Sequence, residues 1–198
     1  IALGTSEVIP LEMVSAYAAY ANKGVYSKPF AITKIEDRYG NTIREYGAVQ
    51  YEVLSEEIAF LMTNLMQTVM DRGTAGSARW KYKFTRPAAG KTGTTQGWSD
   101  AWFVGFTPQL ATGVWFGVDD YQVSLGMGQD GSKAALPTWA RFMRDGHDIL
   151  EMPRVNFQRP SGVIVSEICS VSKMGARKAC PIEKEVYKSG SEPGQKLS

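Results

Sequence analysis

The chain has 198 residues, 43% of them hydrophobic, enough for one sizeable core and too apolar for a disordered segment. Lysine and arginine total 22 against 20 acids, and a net charge of +2 lacks the dense basic stripe of a nucleic-acid binder. No apolar run approaches the roughly 20 residues a membrane helix needs, and the longest, Leu110 to Val118, is broken by Thr and Gly, so no membrane contact is expected from these residues.

The sequence opens at Ile1 in mid-pattern without an initiator methionine and reads as a piece of a longer polypeptide. Pro10 to Asn22 is expected to be helical: proline opens it, Leu11, Val14, Tyr17, Ala18 and Ala21 recur at helical spacing, and Gly24 stands where a C-terminal cap belongs. Ala16, Ala18, Ala19 and Ala21 give it a small-residue face suited to close packing. Phe30 to Asp37 and Thr42 to Tyr46, around the turn Arg38-Tyr39-Gly40-Asn41, read as a β-hairpin. Ser55 caps an amphipathic helix running to Gly73, with Glu56 and Glu57 in its first turn. Its stripe Ile58, Leu61, Met62, Leu65, Met66, Val69 and Met70 is expected to be core, with the methionines as flexible filler.

From Arg86 to Asp120 glycine, threonine, tryptophan and alternating apolar residues predict three strands, Pro87 to Gln96, Ala101 to Phe106 and Ala111 to Val118. The connections Gly97-Trp98-Ser99 and Thr107-Pro108-Gln109 are short enough to require antiparallel neighbours. Trp98, Trp102 and Trp115 are expected to pack on the sheet and core, and Asp100 to anchor the turn before its strand. After a Gly-rich loop, Leu125 to Lys133, Pro137 opens a helix that finishes near Gly146, leaving His147, the single histidine, in a solvated loop. That position disfavours any triad relying on histidine. The polar residues 151–198, with one strand-like run Gly162 to Ile168 and a frayed end, read as an appendage to residues 1–150. Cys169 and Cys180 lack the C-x-x-C spacing of a redox or zinc pair and either close a loop, in an oxidising compartment, or remain free thiols. The expected class is α+β, an antiparallel sheet flanked by helices.

The stretch Ala89-Gly90-Lys91-Thr92-Gly93-Thr94-Thr95-Gln96 carries the chemistry. A lysine flanked by glycines and followed by hydroxyls can hold an anion on an approachable backbone. It is not a P-loop: the position that needs the leading glycine is Thr85, and Gly93-Thr94-Thr95-Gln96-Gly97-Trp98 cannot start the helix that aims N–H groups at phosphate. The alternative is the K-T-G element of serine acyl-transferases.

Around that element stand, in order, Leu3-Gly4-Thr5-Ser6-Glu7-Val8-Ile9-Pro10-Leu11-Glu12-Met13, Gly73-Thr74-Ala75, Asp100-Ala101-Trp102-Phe103-Val104-Gly105-Phe106-Thr107-Pro108, Val114-Trp115-Phe116-Gly117-Val118-Asp119-Asp120 and Pro137-Thr138-Trp139. With this series, covering most of residues 1–145, the chain resembles the C-terminal half of the transpeptidase domain of class A penicillin-binding proteins. The resemblance implies a β-lactamase/transpeptidase-like fold, of which these residues supply part, and peptidoglycan stem peptides and β-lactams as ligands. It implies no cofactor or metal. It also implies an extracytoplasmic location, with the membrane anchor and the N-terminal remainder of the protein outside these residues. Lys91 would then present its charge to the ligand carboxylate and to the protons around the nucleophile. The hydroxyls of Thr92 and Thr94 would bind that carboxylate, the Thr94 N–H would form half of an oxyanion hole, Gly93 would leave room for the substrate along the strand, and Thr95 would line the same subsite. The family's S-x-x-K and S-x-N elements do not occur before Lys91; Ser170-Val171-Ser172-Lys173 matches the first by letters but follows K-T-G, as a chance pattern does. The chain is therefore expected to lack its nucleophile and to be inactive alone. A second reading is a non-catalytic module that holds peptidoglycan or a division partner along the same strand edge.

Overall fold

The computed structural model describes residues 6–120, 122–176 and 180–194. Leu3, Gly4 and Thr5 of the matching series, and the expected frayed end beyond Gly194, lie outside the described residues.

Helix α1 (Pro10–Ala21) starts on its proline as expected and turns sharply out of the helix at Gly24, whose φ of 91° suits glycine. A β-carbon at Gly24 would overlap the Leu54 carbonyl oxygen, because the chain doubles back and the Val53 and Leu54 amides both donate to the Gly24 carbonyl. That return pairs two short strands, β1 (Val25–Ser27) and β4 (Gln50–Glu52), a sheet too short for periodicity to announce. Between them stands the expected hairpin, β2 (Lys34–Glu36) with β3 (Thr42–Glu45). Its turn is held by Asp37, whose carboxylate accepts the Tyr39 and Asn41 amides at 2.8 and 2.9 Å.

Helix α2 (Glu56–Asp71) begins on Ser55, whose hydroxyl accepts the Ile58 amide. The expectation that its whole apolar stripe is core needs correction. Met66 and Met70 are buried with Ala59 and Thr63, but Ile58, Met62 and Leu65 are exposed, since the stripe is wider than the surface the described residues lay against it. A single helical turn, α3 (Ser77–Trp80), follows; at four residues it is too short to show a period.

The central sheet has the order β5 (Ala89–Thr94), β6 (Asp100–Phe106), β7 (Ala111–Gly117), all antiparallel, as the short connections require. Side chains alternate across it. One face carries Phe103, packed edge-on against Trp139 at 4.8 Å and clustered with Met70, Ala75, Ala78, Phe84 and Met143. The other carries Ala89 and Phe106, clustered with Met66 and packed on Tyr17 and Tyr20 of α1. The sheet thus lies between α1 and helix α4 (Ala135–Ile149), and α2, contributing to both clusters, runs beside β5.

Helix α4 is longer at both ends than Pro137 and Gly146 indicate, and this overturns the expectation for His147. The residue is helical and fully buried, below Leu136, Trp139, Ala140 and Met143 on the inner face. Its Nδ1 lies 2.6 Å from the Met143 carbonyl and its Nε2 2.9 Å from the Thr107 hydroxyl, so it fastens the β6–β7 turn to α4.

After α4 the chain returns along the body. Arg86 donates to the carbonyls of Met152 and Pro153, Arg154 to that of Thr85, and Phe157 meets Phe106 edge-on at 5.7 Å. It ends in a hairpin, β8 (Val163–Cys169) with β9 (Ile182–Lys188), closed by a Cys169–Cys180 disulfide. The first strand is the expected run. The second, Ile-Glu-Lys-Glu-Val-Tyr-Lys, reads as polar tail because it is only partly buried and carries charge on both faces. Ser170 and Lys173 sit in the turn beside the disulfide, with Lys173 paired to Glu183, and not at the start of a helix.

Candidate active site

β5 forms one edge of its sheet, without a strand on its far side among the described residues. The Thr95 amide donates to the Asp100 carbonyl at 3.2 Å, which makes 95/100 a hydrogen-bonded pair. Because such pairs alternate with non-bonded ones, Gly93/Trp102 and Lys91/Val104 also face inward, and the N–H and C=O groups of Thr92 and Thr94 turn toward the open edge. The Lys91 ammonium bonds the Thr92 carbonyl at 2.9 Å, which holds a full positive charge at that edge.

The side chains of Thr92 and Thr94 share the α4 face, two residues apart. Each hydroxyl has a partner brought from far along the chain. Thr92 Oγ1 lies 2.9 Å from Thr74 Oγ1, in the turn that follows α2. Thr94 Oγ1 accepts the Gly131 amide at 3.1 Å, from the loop that precedes α4. Gly131 is pressed against the strand: a β-carbon there would overlap the Trp102 carbonyl oxygen and come within 2.7 Å of the Gly93 carbonyl oxygen. Asp130 shapes the same turn, accepting the Ser132 hydroxyl at 2.6 Å and the Ser132 and Lys133 amides at 2.8 and 3.0 Å. Burial pushes the Asp130 carboxyl up, but these bonds and the Lys133 charge outweigh it and hold the group below its ordinary value.

Thr95 is placed otherwise. Its hydroxyl lies 2.8 Å from the Ser99 hydroxyl, accepts the Asp100 amide at 2.8 Å and bonds the Asp100 carboxylate at 3.2 Å, closing the turn at the end of β5. Asp100 anchors this turn as expected and also accepts the Trp115 indole N–H at 2.8 Å. Trp102 and Trp115 pack on the sheet as expected, cross-strand partners with ring centroids 6.1 Å apart, but Trp98 and Trp115 are not core. Trp98 and Trp115 are 37% and 42% exposed, because the cover from Val14, Tyr17, Tyr20, Met66 and Phe157 lies over Ala89, Phe106 and Gly113, toward the other end of the strands.

The structure thus brings Lys91, Thr92, Gly93 and Thr94 together on one open edge, with Thr95 at its end. Thr74 stands within the sequence motif Gly73-Thr74-Ala75, but its contact with Thr92 and that of Gly131 with Thr94 span 18 and 37 residues, distances over which no local pattern operates. The assembled groups can bind an anion beside an extended peptide backbone. No cluster of His, Cys, Asp and Glu able to hold a metal occurs among the described residues.

A family model described as the penicillin binding protein transpeptidase domain matches residues 1–144. Penicillin-binding protein 1A of Aquifex aeolicus is 39% identical over 194 residues, 98% of this chain and 26% of that protein. Penicillin-binding protein 1A of Clostridium tetani is 34% identical over 198 residues, 97% of this chain and 25% of that protein. The chain spans about a quarter of the length of these curated relatives. Among solved structures, penicillin-binding protein 1A from Haemophilus influenzae superposes with a TM-score of 0.90 at 25% identity, over 100% of this chain and 34% of that one. The PonA1 protein from Mycobacterium tuberculosis in complex with penicillin V gives 0.62 at 28% identity, over 80% of this chain and 42% of that one. The sequence match and the shared fold make this chain a member of the penicillin-binding protein transpeptidase domain family.

Proposed function

We propose that these residues form the K-T-G wall of a peptidoglycan D,D-transpeptidase site, and that the attacking serine comes from residues of the same protein outside this chain. The observation that carries the reading is the open edge of β5, where the Lys91 charge, the Thr92 and Thr94 hydroxyls and outward backbone amides converge within four residues. In this reading the serine oxygen attacks the carbonyl carbon of the penultimate D-alanine and the carbonyl oxygen becomes an oxyanion. The C–N bond then breaks, D-alanine leaves as the protonated amine, and an amine of a neighbouring stem displaces the serine to form the cross-link. A β-lactam stops after the first half, because its ring amide opens without losing the amine.

The Thr94 N–H, directed at the open edge, donates to the oxyanion, an interaction whose loss typically slows such reactions about a hundredfold or more. Lys91 and the two hydroxyls hold the terminal carboxylate, and Gly93 leaves the strand clear for a peptide to pair beside it. Thr95 holds the end of β5 through its turn. Such chemistry, and the Cys169–Cys180 disulfide, fit an extracytoplasmic site.

The test is labelling by fluorescent penicillin. The complete protein should be labelled, residues 1–198 alone should not, and Lys91→Ala in the complete protein should slow acylation about a hundredfold. Acylation unchanged by Lys91→Ala would remove the role given to Lys91. Saturable binding of D-alanyl-D-alanine peptides by the complete protein, with no acylation by any β-lactam, would favour a binding module instead.

A further inference from the structure

We propose that Thr74 and the turn Asp130-Gly131-Ser132 are positioning groups that set the hydrogen-bond polarity of the K-T-G strand, so that the Thr92 and Thr94 hydroxyls both act as donors to one ligand carboxylate. The inference rests on the transpeptidase reading for its ligand and on the structure for its geometry.

A threonine hydroxyl has one proton to give and two lone pairs to receive. At Thr94 the assignment is fixed, because the Gly131 amide can only donate; it occupies a lone pair of Oγ1 and leaves the Thr94 proton free to point elsewhere. At Thr92 either hydroxyl of the pair can be the donor in the absence of ligand. An anion at the open edge removes that ambiguity. Thr92 turns its proton to the anion, and Thr74 turns its own to Thr92. Both strand hydroxyls are then donors whose acceptor side is satisfied from behind, and a donor chain of this kind strengthens the outer bond.

The spacing suits a carboxylate. Residues two apart on a strand lie about 6.5 to 7 Å apart, and two oxygens of one carboxylate, each about 2.7 Å from a hydroxyl, bridge such a gap. The Lys91 ammonium at the Thr92 carbonyl adds the opposite charge beside the same place. Neither positioning group is free to drift. Thr74 stands in the turn after α2, which the Ala75 amide ties back to the Val69 carbonyl at 3.1 Å, and precedes the buried Ala75 and Ala78, while Gly131 lies against the backbone of Gly93 and Trp102 and is followed by the Asp130-bonded Ser132 and Lys133.

The experiment compares Thr74→Val, which keeps the shape and removes the hydroxyl, with Thr74→Ser, which keeps the hydroxyl, in the complete protein. Acylation rate is measured with a penicillin and with the methyl ester of that penicillin, which lacks the charged carboxylate. The wild-type protein should prefer the acid. Thr74→Val should slow acylation by the acid about tenfold and leave the rate with the ester nearly unchanged, and Thr74→Ser should restore the acid rate. Asp130→Ala, which loosens the turn bearing Gly131, should reduce the acid-over-ester preference in the same direction, and it keeps the proposal testable should Thr74→Val fail to fold. Equal slowing of acid and ester, or no slowing of either, in both Thr74→Val and Asp130→Ala overturns this inference and leaves the transpeptidase reading standing. Absence of acylation in the wild-type protein overturns both.

Discussion

Thr107 tests the reasoning about buried polar groups most sharply. Its hydroxyl lies 2.9 Å from His147 Nε2 and accepts the amides of Gln109 and Leu110 at 3.2 and 3.1 Å. The Met143 carbonyl beside His147 Nδ1 can only accept, so Nδ1 carries the ring proton and Nε2 receives the Thr107 proton. Thr107→Val keeps the shape and strips all three bonds. The ring nitrogen, fully buried, is left without a donor at about 1 to 3 kcal/mol, while the two amides, nearer the surface, add about 0.5 kcal/mol each as water replaces the hydroxyl. The expected loss is about 2 to 4 kcal/mol, or about 5 to 15 °C in Tm for a chain of this length. Thr107→Ser retains the hydroxyl and gives up one buried methyl, about 1 kcal/mol. Urea unfolding followed by tryptophan fluorescence, with Trp139 buried on α4 like His147, reports both. A valine variant within about 0.5 kcal/mol of wild type, or a serine variant that loses as much as valine, would refute the argument.

Three further outcomes are expected. A depressed acid stabilises fully above the ordinary carboxylate range near pH 4, and that stability is lost as pH falls through the lowered folded value. Tm should therefore fall more steeply below about pH 4 in the wild type than in Asp130→Asn, the two running parallel at higher pH; parallel curves throughout would dismiss the Asp130 bonds as a source of stability. Gly24→Ala meets both a φ of 91° and the Leu54 carbonyl, whereas Gly40→Ala, at φ 83°, meets open space. The first should cost at least about 2 kcal/mol in urea unfolding and the second about 1 kcal/mol, and equal costs would count against the close approach at Gly24. Replacing both Cys169 and Cys180 by serine frees a loop of sequence separation 11 and should destabilise the β8–β9 hairpin by about 3 kcal/mol, read as faster amide exchange in both strands. Unchanged protection would show that pairing and packing alone hold the hairpin.

What could be read from the sequence follows the range of the forces involved. The helix and strand periods of α1, α2 and the three-stranded sheet are local and were legible, as was Asp100 at its turn. His147 was misjudged from its neighbours Arg144-Asp145-Gly146, which resemble a helix end, although its spacing of four from Met143 places it on the inner face. The K-T-G residues were legible as a motif, and their gathering on an open edge followed from the strand pattern. The groups that orient those hydroxyls were not, because Thr74 and Gly131 reach them through the fold. The β9 strand was hidden by its charges, and the half-covered stripe of α2 by the assumption that every apolar stripe meets a neighbour.

The contact between Gly131 and the Gly93/Trp102 pair is main chain against main chain. Surfaces built from side chains can be retuned by a methyl group at a time, and a pocket can widen or narrow by degrees. Here there is no adjustable part. A carbon added at position 131 overlaps main-chain oxygens, so the loop must move outward and draw the Gly131 amide away from the Thr94 hydroxyl. A strand edge set in this way should respond to substitution at that point as a switch, while variation in the surrounding side chains alters it only gradually.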